Sequence, residues 1–273
     1  MEITRPDAGA AAARTPKRKR AWRATERDMA VLAWLGKWKC ATADQIHAEF
    51  VRRGEQWDLA KVQRRLLALR TLKLVDYSRW YVADLPGLHW LSRDGMALVG
   101  LDGAMVVPRV DEVHHDLAVV DLAAQIAGAY PDRLVVTERE IRARETPSPS
   151  QTPDFAYSVP MESDRLRRLY PDLVTVAAGG AAETPGGAGA RRTVVAHEVE
   201  RTRKPVPRLV ENMLAYVTAG HIDGVCYWCF GETLTYVTRA AEEANARGED
   251  LRRGRKVSVR PWTPTRSMGV VVP

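Results

Sequence analysis

The stretch RRTVVAHEVERTRK, residues 191–204, runs from strand-forming apolar residues into two glutamates one residue apart, inside a basic frame. Alternation along a strand puts Glu198 and Glu200 on one face, together with Val194 and Ala196. Like charges side by side on a half-buried sheet repel each other and lose hydration, so something must compensate them. A metal ion is one candidate. Flanking Arg201, Arg203 and Lys204 are another.

Working outward, other segments share the strand pattern: RLVVTERE (133–140), PDLVTVAA (171–178), GVCYWCFG (224–231) and RKVSVRPW (255–262). Helical spacing marks HHDLAVVDLAAQIAGAY (114–130), VPRLVENMLAYVTAG (206–220) and LTYVTRAAEEANARG (234–248). ESDRLRRLY (162–170) reads as a further helix, and GGAAETPGGAGA (179–190) as a low-complexity loop. The order predicts an α/β domain over residues 112–262 with a central mixed sheet, then a tail over 263–273. If 171–178 and 191–200 pair as an antiparallel hairpin, Asp172 at the start of one meets Glu198 and Glu200 at the end of the other. Glu138 follows Leu134 and Val136 on the first strand and reaches the same corner if that strand also joins antiparallel. Carboxylates gathered in this way suit a hard divalent cation, Mg²⁺ or Mn²⁺, which can polarise a phosphodiester and activate water. Three or four of the carboxylates Glu138, Asp172, Glu198 and Glu200 match what such a cation needs, with Glu200 either sharing the metal or serving as the base, and Lys204 and the neighbouring arginines balancing phosphate charge.

Residues 25–103 read differently. TERDMAVLAWLGKWK, TADQIHAEF and DLAKVQRRLLALRTLKLV are three helices, the first two capped by Thr25 and Thr42. Leu59, Val62, Leu66 and Leu69 form the buried stripe of the third. Two alternating strands (VDYSRWYV, GLHWLS) and a turn of helix close the unit. Three helices and two strands make a winged helix-turn-helix pattern whose third helix would enter a DNA major groove, with Lys61, Gln63, Arg64 and Arg65 as the contacts. The plainer reading is a solvated charged face on a protein-binding unit. The fold class is thus α+β, a winged helix followed by the mixed-sheet domain.

The chain has 273 residues, 45% of them hydrophobic, and a net charge of +7. Residues 1–24 hold seven basic and two acidic side chains, whereas residues 106–273 are balanced at twenty-two of each. Most of the excess sits in RTPKRKRAWR, where Lys17, Arg18, Lys19 and Arg20 form a basic arm fit for phosphates or for solubility alone. No apolar run approaches the ~20 residues that a membrane span needs, so a membrane partner is not expected. Three cysteines and no apolar leader point to the cytoplasm. CYWC does not read as a zinc or redox pair, because a strand sends Cys226 and Cys229 to opposite faces. His114 and His115 suggest packing at a helix start rather than metal ligation, and His197 faces away from Glu198. A second Pro-Asp, TPDF at 152–155, lacks the following strand pattern, so Asp172 is preferred.

PDLV followed by HEVERTRK resembles the PD-(D/E)xK restriction-endonuclease-like fold in its E-x-E variant. With a winged helix in front and VHHDLAVVDLAA between, residues 25–262 look like the replication-relaxation family, which includes the MobC-type relaxases of mobilisable plasmids. The resemblance implies a DNA-binding winged helix fused to a nuclease-like domain that acts on plasmid or mobile-element DNA. It assigns Asp172, Glu198 and Glu200 to the metal-binding core and Glu138 to an auxiliary acid. The lysine usual in the third motif position is Glu200 here, and Lys204 lies four residues on. The alternative is a DNA-binding regulator or replication accessory protein with an inactive nuclease-like domain, for which a homodimer is possible.

Overall fold

The computed structural model describes residues 23–79, 85–101, 107–145, 156–163, 167–177 and 192–264. The basic arm with Lys17, Arg18, Lys19 and Arg20, the TPDF segment and the whole of the Gly/Ala loop lie outside them.

The N-terminal unit runs α1 (Glu26–Leu35), β1 (Ala41–Thr42), α2 (Ala43–Arg52), α3 (Leu59–Thr71), β2 (Val75–Ser78), β3 (Leu88–Leu91) and α4 (Arg93–Leu98). Its helices begin where the sequence places caps. Thr25 and Asp28 form a capping box on α1, as do Thr42 and Gln45 on α2, while the Asp58 side chain accepts from the Lys61 amide on α3. Of the expected stripe, Val62, Leu66 and Leu69 are buried and Leu59 is only half-buried. The sheet has the antiparallel order β1-β3-β2. Its first strand, two residues long, carried no periodic signal.

The second unit runs α5 (Val113–Ala129), β4 (Arg133–Thr137), α6 (Glu138–Glu145), β5 (Val159–Pro160), β6 (Arg168–Leu169), β7 (Leu173–Ala177), β8 (Thr193–Glu200), α7 (Val206–Thr218), β9 (Gly224–Cys229), α8 (Thr233–Asp250) and β10 (Val257–Pro261). Five strands form one mixed sheet of order β10-β9-β8-β7-β4. β4, β7 and β8 pair antiparallel, and β8, β9 and β10 pair parallel. The chain is therefore α+β with a central mixed sheet.

Two expectations change. Of the helix expected over 162–170, the described residues show none: Arg168 and Leu169 pair as a strand with Pro160 and Val159. The first strand stops at Thr137 and Glu138 opens a helix. The sequence TERE is itself a capping box: the Glu140 amide donates to Thr137 Oγ1 at 3.3 Å, and Glu140 Oε2 accepts from the Thr137 amide at 2.9 Å.

One face of the sheet is covered by α7 and α8, whose Leu209, Met213, Val237 and Ala240 pack with Ala196, Val225 and Val257. The other is covered by α5, whose Leu117, Val120 and Leu122 belong to one continuous core that also contains Leu32, Ile46 and Leu66 of the N-terminal unit and Leu173 and Val199 of the sheet. A helix wrapped on both sides is apolar around most of its circumference, as α5 is. Polar ties reinforce the joint. Gln45 Nε2 donates to Leu117 O at 2.9 Å and to Asp121 Oδ1 at 2.8 Å, and an Arg139 guanidinium nitrogen donates to Trp38 O at 3.1 Å.

Arg65 does not project outward as the sequence suggests. Its guanidinium forks onto both oxygens of Asp28, a fully buried residue, and reaches Thr25 Oγ1 at 3.1 Å. Arg65 therefore joins α3 to the start of α1. Removing one member of a buried pair leaves the other charge uncompensated. Arg65→Ala is expected to lower stability by about 3 kcal/mol in urea titration. Exposed Lys61→Ala should change it by less than about 0.5 kcal/mol.

Candidate functional site

The register of β7 and β8 builds the site. Leu173 pairs with His197 and Val174 with Ala196, so the next position outward sets Asp172 across from Glu198. On the far side of β8, Glu198 pairs with Tyr227 and Glu200 with Cys229 of β9. The apolar part of this face (Val174, Val176, Ala196, Val225) is buried, and the acids lie at its end. Asp172, Glu198 and Glu200 thus meet at one corner of the sheet.

Each carboxylate has a proton-bearing partner. Asp172 Oδ1 lies 3.0 Å from His115 Nε2, and its Oδ2 accepts from the Val199 amide at 2.7 Å. Glu198 Oε1 accepts from the Tyr216 hydroxyl of α7. Glu200 Oε2 accepts from Lys204 Nζ at 2.8 Å. The turn after β8 folds Lys204 back onto the corner, so a lysine four residues beyond the expected position still arrives there.

The charges are strongly coupled. Burial drives the Glu198 carboxyl well above its ordinary range, and the neighbouring Asp172 charge adds to the effect against Tyr216 and Lys204. Burial also raises Glu200, with Lys204 partly offsetting it. For Asp172 burial acts upward, but His115, the Val199 amide and Lys204 together bring it below its usual value. The Asp172 charge in turn raises His115 to about 9 against the opposing effect of burial. Lys204 is raised by all three acids despite its own burial. The His115 imidazolium and the Lys204 ammonium thus stand against the Asp172 carboxylate, while Glu198 is drawn towards its neutral form.

His115 is the site residue that sequence reasoning missed. It sits in the first turn of α5, and its link to Asp172 spans 57 residues. Local spacing carries no signal for such a contact. His197 is packed as expected, against Thr175 Oγ1 at 3.0 Å and the Trp228 indole at 3.2 Å. Cys40, Cys226 and Cys229 are free and buried.

Glu138 does not join the three acids. Its amide donates to Asp172 O at 3.0 Å, so its backbone touches the corner. As the first residue of a helix, however, its side chain turns to Arg142 at 2.8 Å and Lys39 at 3.6 Å. Elsewhere, Lys61, Gln63 and Arg64 are exposed on α3, with Lys61 Nζ 3.2 Å from Asp58. Among the described residues no group of three or more His, Cys, Asp or Glu side chains is arranged to hold a metal ion. The donor set itself is all hard oxygen, and the repulsion between Asp172 and Glu198 is what a cation would relieve. No helix among the described residues is long and apolar enough to cross a membrane.

His115 gives the corner a pH signature. A histidine raised in the folded state adds stability that is complete below the ordinary range near pH ~6.5 and disappears as pH rises through its folded value, here about 9. His115→Asn should therefore remove part of the fall in urea midpoint across that window, and an unchanged slope would show that Asp172 does not hold the proton on His115. No protein-family model, curated protein or solved structure matches this chain.

Proposed function

We propose that the chain is a DNA-processing protein of a plasmid or other mobile element, acting in the cytoplasm. The N-terminal unit, with its helical trio and β1-β3-β2 sheet, serves in this reading as a winged helix that seats α3 on duplex DNA. Lys61, Gln63 and Arg64 face the nucleic acid. The sheet unit acts on the phosphodiester. The observation that carries the reading is the meeting of Asp172, Glu198, Glu200 and Lys204 at one corner of the sheet.

Asp172, Glu198 and Glu200 would hold Mg²⁺ or Mn²⁺, which polarises a phosphodiester and makes bound water a better nucleophile. Lys204 lies close enough to all three acids to balance phosphate charge. Glu200, raised above its ordinary value, is suited to exchange a proton nearer neutrality. His115 orients Asp172 from the helix side.

Nicking of supercoiled plasmid with Mg²⁺ or Mn²⁺ tests this. Asp172→Ala and Glu200→Ala are expected to slow it by about a hundredfold or more. Acid variants as active as wild type, or full cleavage in excess chelator, would overturn the catalytic assignment.

A second reading has its own support, since each acid already has a proton-bearing partner within the fold. A scaffold balanced in this way serves a regulator or replication accessory protein that binds DNA without cutting it. Salt-sensitive binding with no cleavage in either metal would favour it. Under both readings Lys61→Ala and Arg64→Ala should weaken binding to all sequences and each reduce the salt slope by about 1. Unchanged slopes would remove α3 from the interface.

A further inference from the structure

Arg201, Arg203 and Arg260 stand at the carboxyl end of the parallel strands, next to the acidic corner. Arg201 and Arg203 follow Glu200 in the turn that returns Lys204 to the corner. Arg260 lies on β10 in register with Trp228 of β9, which pairs in turn with Val199 of β8. Each guanidinium sits over an aromatic ring: Arg201 over Phe230 at 5.3 Å from the centroid, Arg203 over Tyr236 at 5.8 Å and Arg260 over Trp228 at 5.6 Å. Arg53 and Arg142 also rest on rings, yet each still reaches a carboxylate, Glu49 at 2.7 Å and Glu138 at 2.8 Å. The guanidinium groups of Arg201, Arg203 and Arg260 have neither a carboxylate nor a hydrogen-bond partner among the described residues. Acids are not scarce, since residues 106–273 hold twenty-two of each sign. Arg201 is moreover half-buried, so it gives up hydration that nothing in the fold replaces.

The rings beneath are held in place. Phe230 meets Trp262 edge-on at 5.0 Å, Trp262 donates to Gln125 Oε1 at 2.7 Å, and Trp228 donates to His197 Nδ1 at 3.2 Å. A guanidinium laid on a fixed ring has lost freedom in advance and keeps its fork of N–H donors for an anion. Val199 and Arg260 lie two strands apart, about 10 Å between backbone positions. Phosphates of one DNA strand advance about 3.4 Å along the axis per nucleotide. The arginines therefore spread over several phosphates rather than one. Open sheets bind ligands beyond the carboxyl ends of parallel strands, which is where this rim lies.

We infer that Arg201, Arg203 and Arg260 form a second nucleic-acid contact surface, each forking onto a backbone phosphate of the strand that passes over the acidic corner. The inference rests on the nucleic-acid reading above. Such contacts fix the position of a backbone and carry no sequence information of their own. The rim holds phosphates that neighbour the one at the corner, so it sets the path of the backbone there while α3 faces the groove.

The test uses the full chain in excess chelator, where metal-dependent cutting is suppressed, and measures binding to two duplexes of unrelated sequence over a range of salt. Arg201→Gln, Arg203→Gln and Arg260→Gln each remove a charge and keep part of the stem over the ring. Each should lower the salt slope by about 1, equally on both duplexes. Arg201→Lys should keep the wild-type slope at reduced affinity, because the charge stays and the fork is lost. Arg247→Gln, whose partner is Glu243, should leave the slope unchanged. Arg203 and Arg260 are exposed, so their variants test the rim without straining the fold. Unchanged slopes in these two, or an effect confined to one duplex, would overturn the rim. So would polyglutamate that binds as tightly as DNA and loses that affinity in the variants, since the occupant would then be an acidic protein. A wild type whose binding depends on α3 but not on the three arginines loses the rim alone. Rim-dependent binding without nicking in either metal loses only the catalytic reading. Absence of all DNA binding removes both.

Discussion

The antiparallel register of β7 and β8 is the constraint on which the site depends. Because Leu173 meets His197, Asp172 must meet Glu198, and the pleat sends both to the face that carries Val174 and Ala196. A slip of one residue would send the acids to the opposite face and bury charge in the α5 core. The apolar positions of the strands therefore hold the charged ones in place. Once they are there, the acids cannot all ionise freely. Asp172 keeps its charge with the help of His115 and Val199, Glu198 is pushed towards its neutral form beside Tyr216, and Glu200 is held by Lys204. The corner stores electrostatic tension that a cation or a proton can relieve.

The second constraint is α5. Its residues from Asp116 to Ala123 are buried without a break, which requires partners on more than one side. The sheet supplies one side and the N-terminal unit the other. Lys39 adds charge to this joint, reaching Glu112, Asp116 and Glu138 from the N-terminal unit. His115 lies one residue from this cluster and touches Asp172, so the joint and the acidic corner are physically continuous.

Much of this was legible in the chain. Alternating residues mark the five strands of the main sheet, and antiparallel pairing of two of them is enough to bring Asp172 to Glu198. Thr25, Thr42 and Asp58 marked helix starts in the usual way. What escaped falls into two kinds. Glu138 and Thr137 carried a local signal, the TERE capping box, which the preceding run of valines outweighed; the helix then turned Glu138 away from the other acids. His115 with Asp172, and Arg65 with Asp28, carried no local signal. The partners lie 57 and 37 residues apart, and only tertiary packing decides whether a basic side chain on a helix meets solvent or a buried carboxylate.

The shared core around α5 also has a mechanical meaning. Two units joined by a flexible tether would sweep a range of separations, and anything gripped by one would be presented to the other at variable reach. Here the apolar packing welds them, so the span from α3 to the acidic corner is a fixed length set by the fold. The molecule is shaped as a caliper rather than a pair of beads on a string.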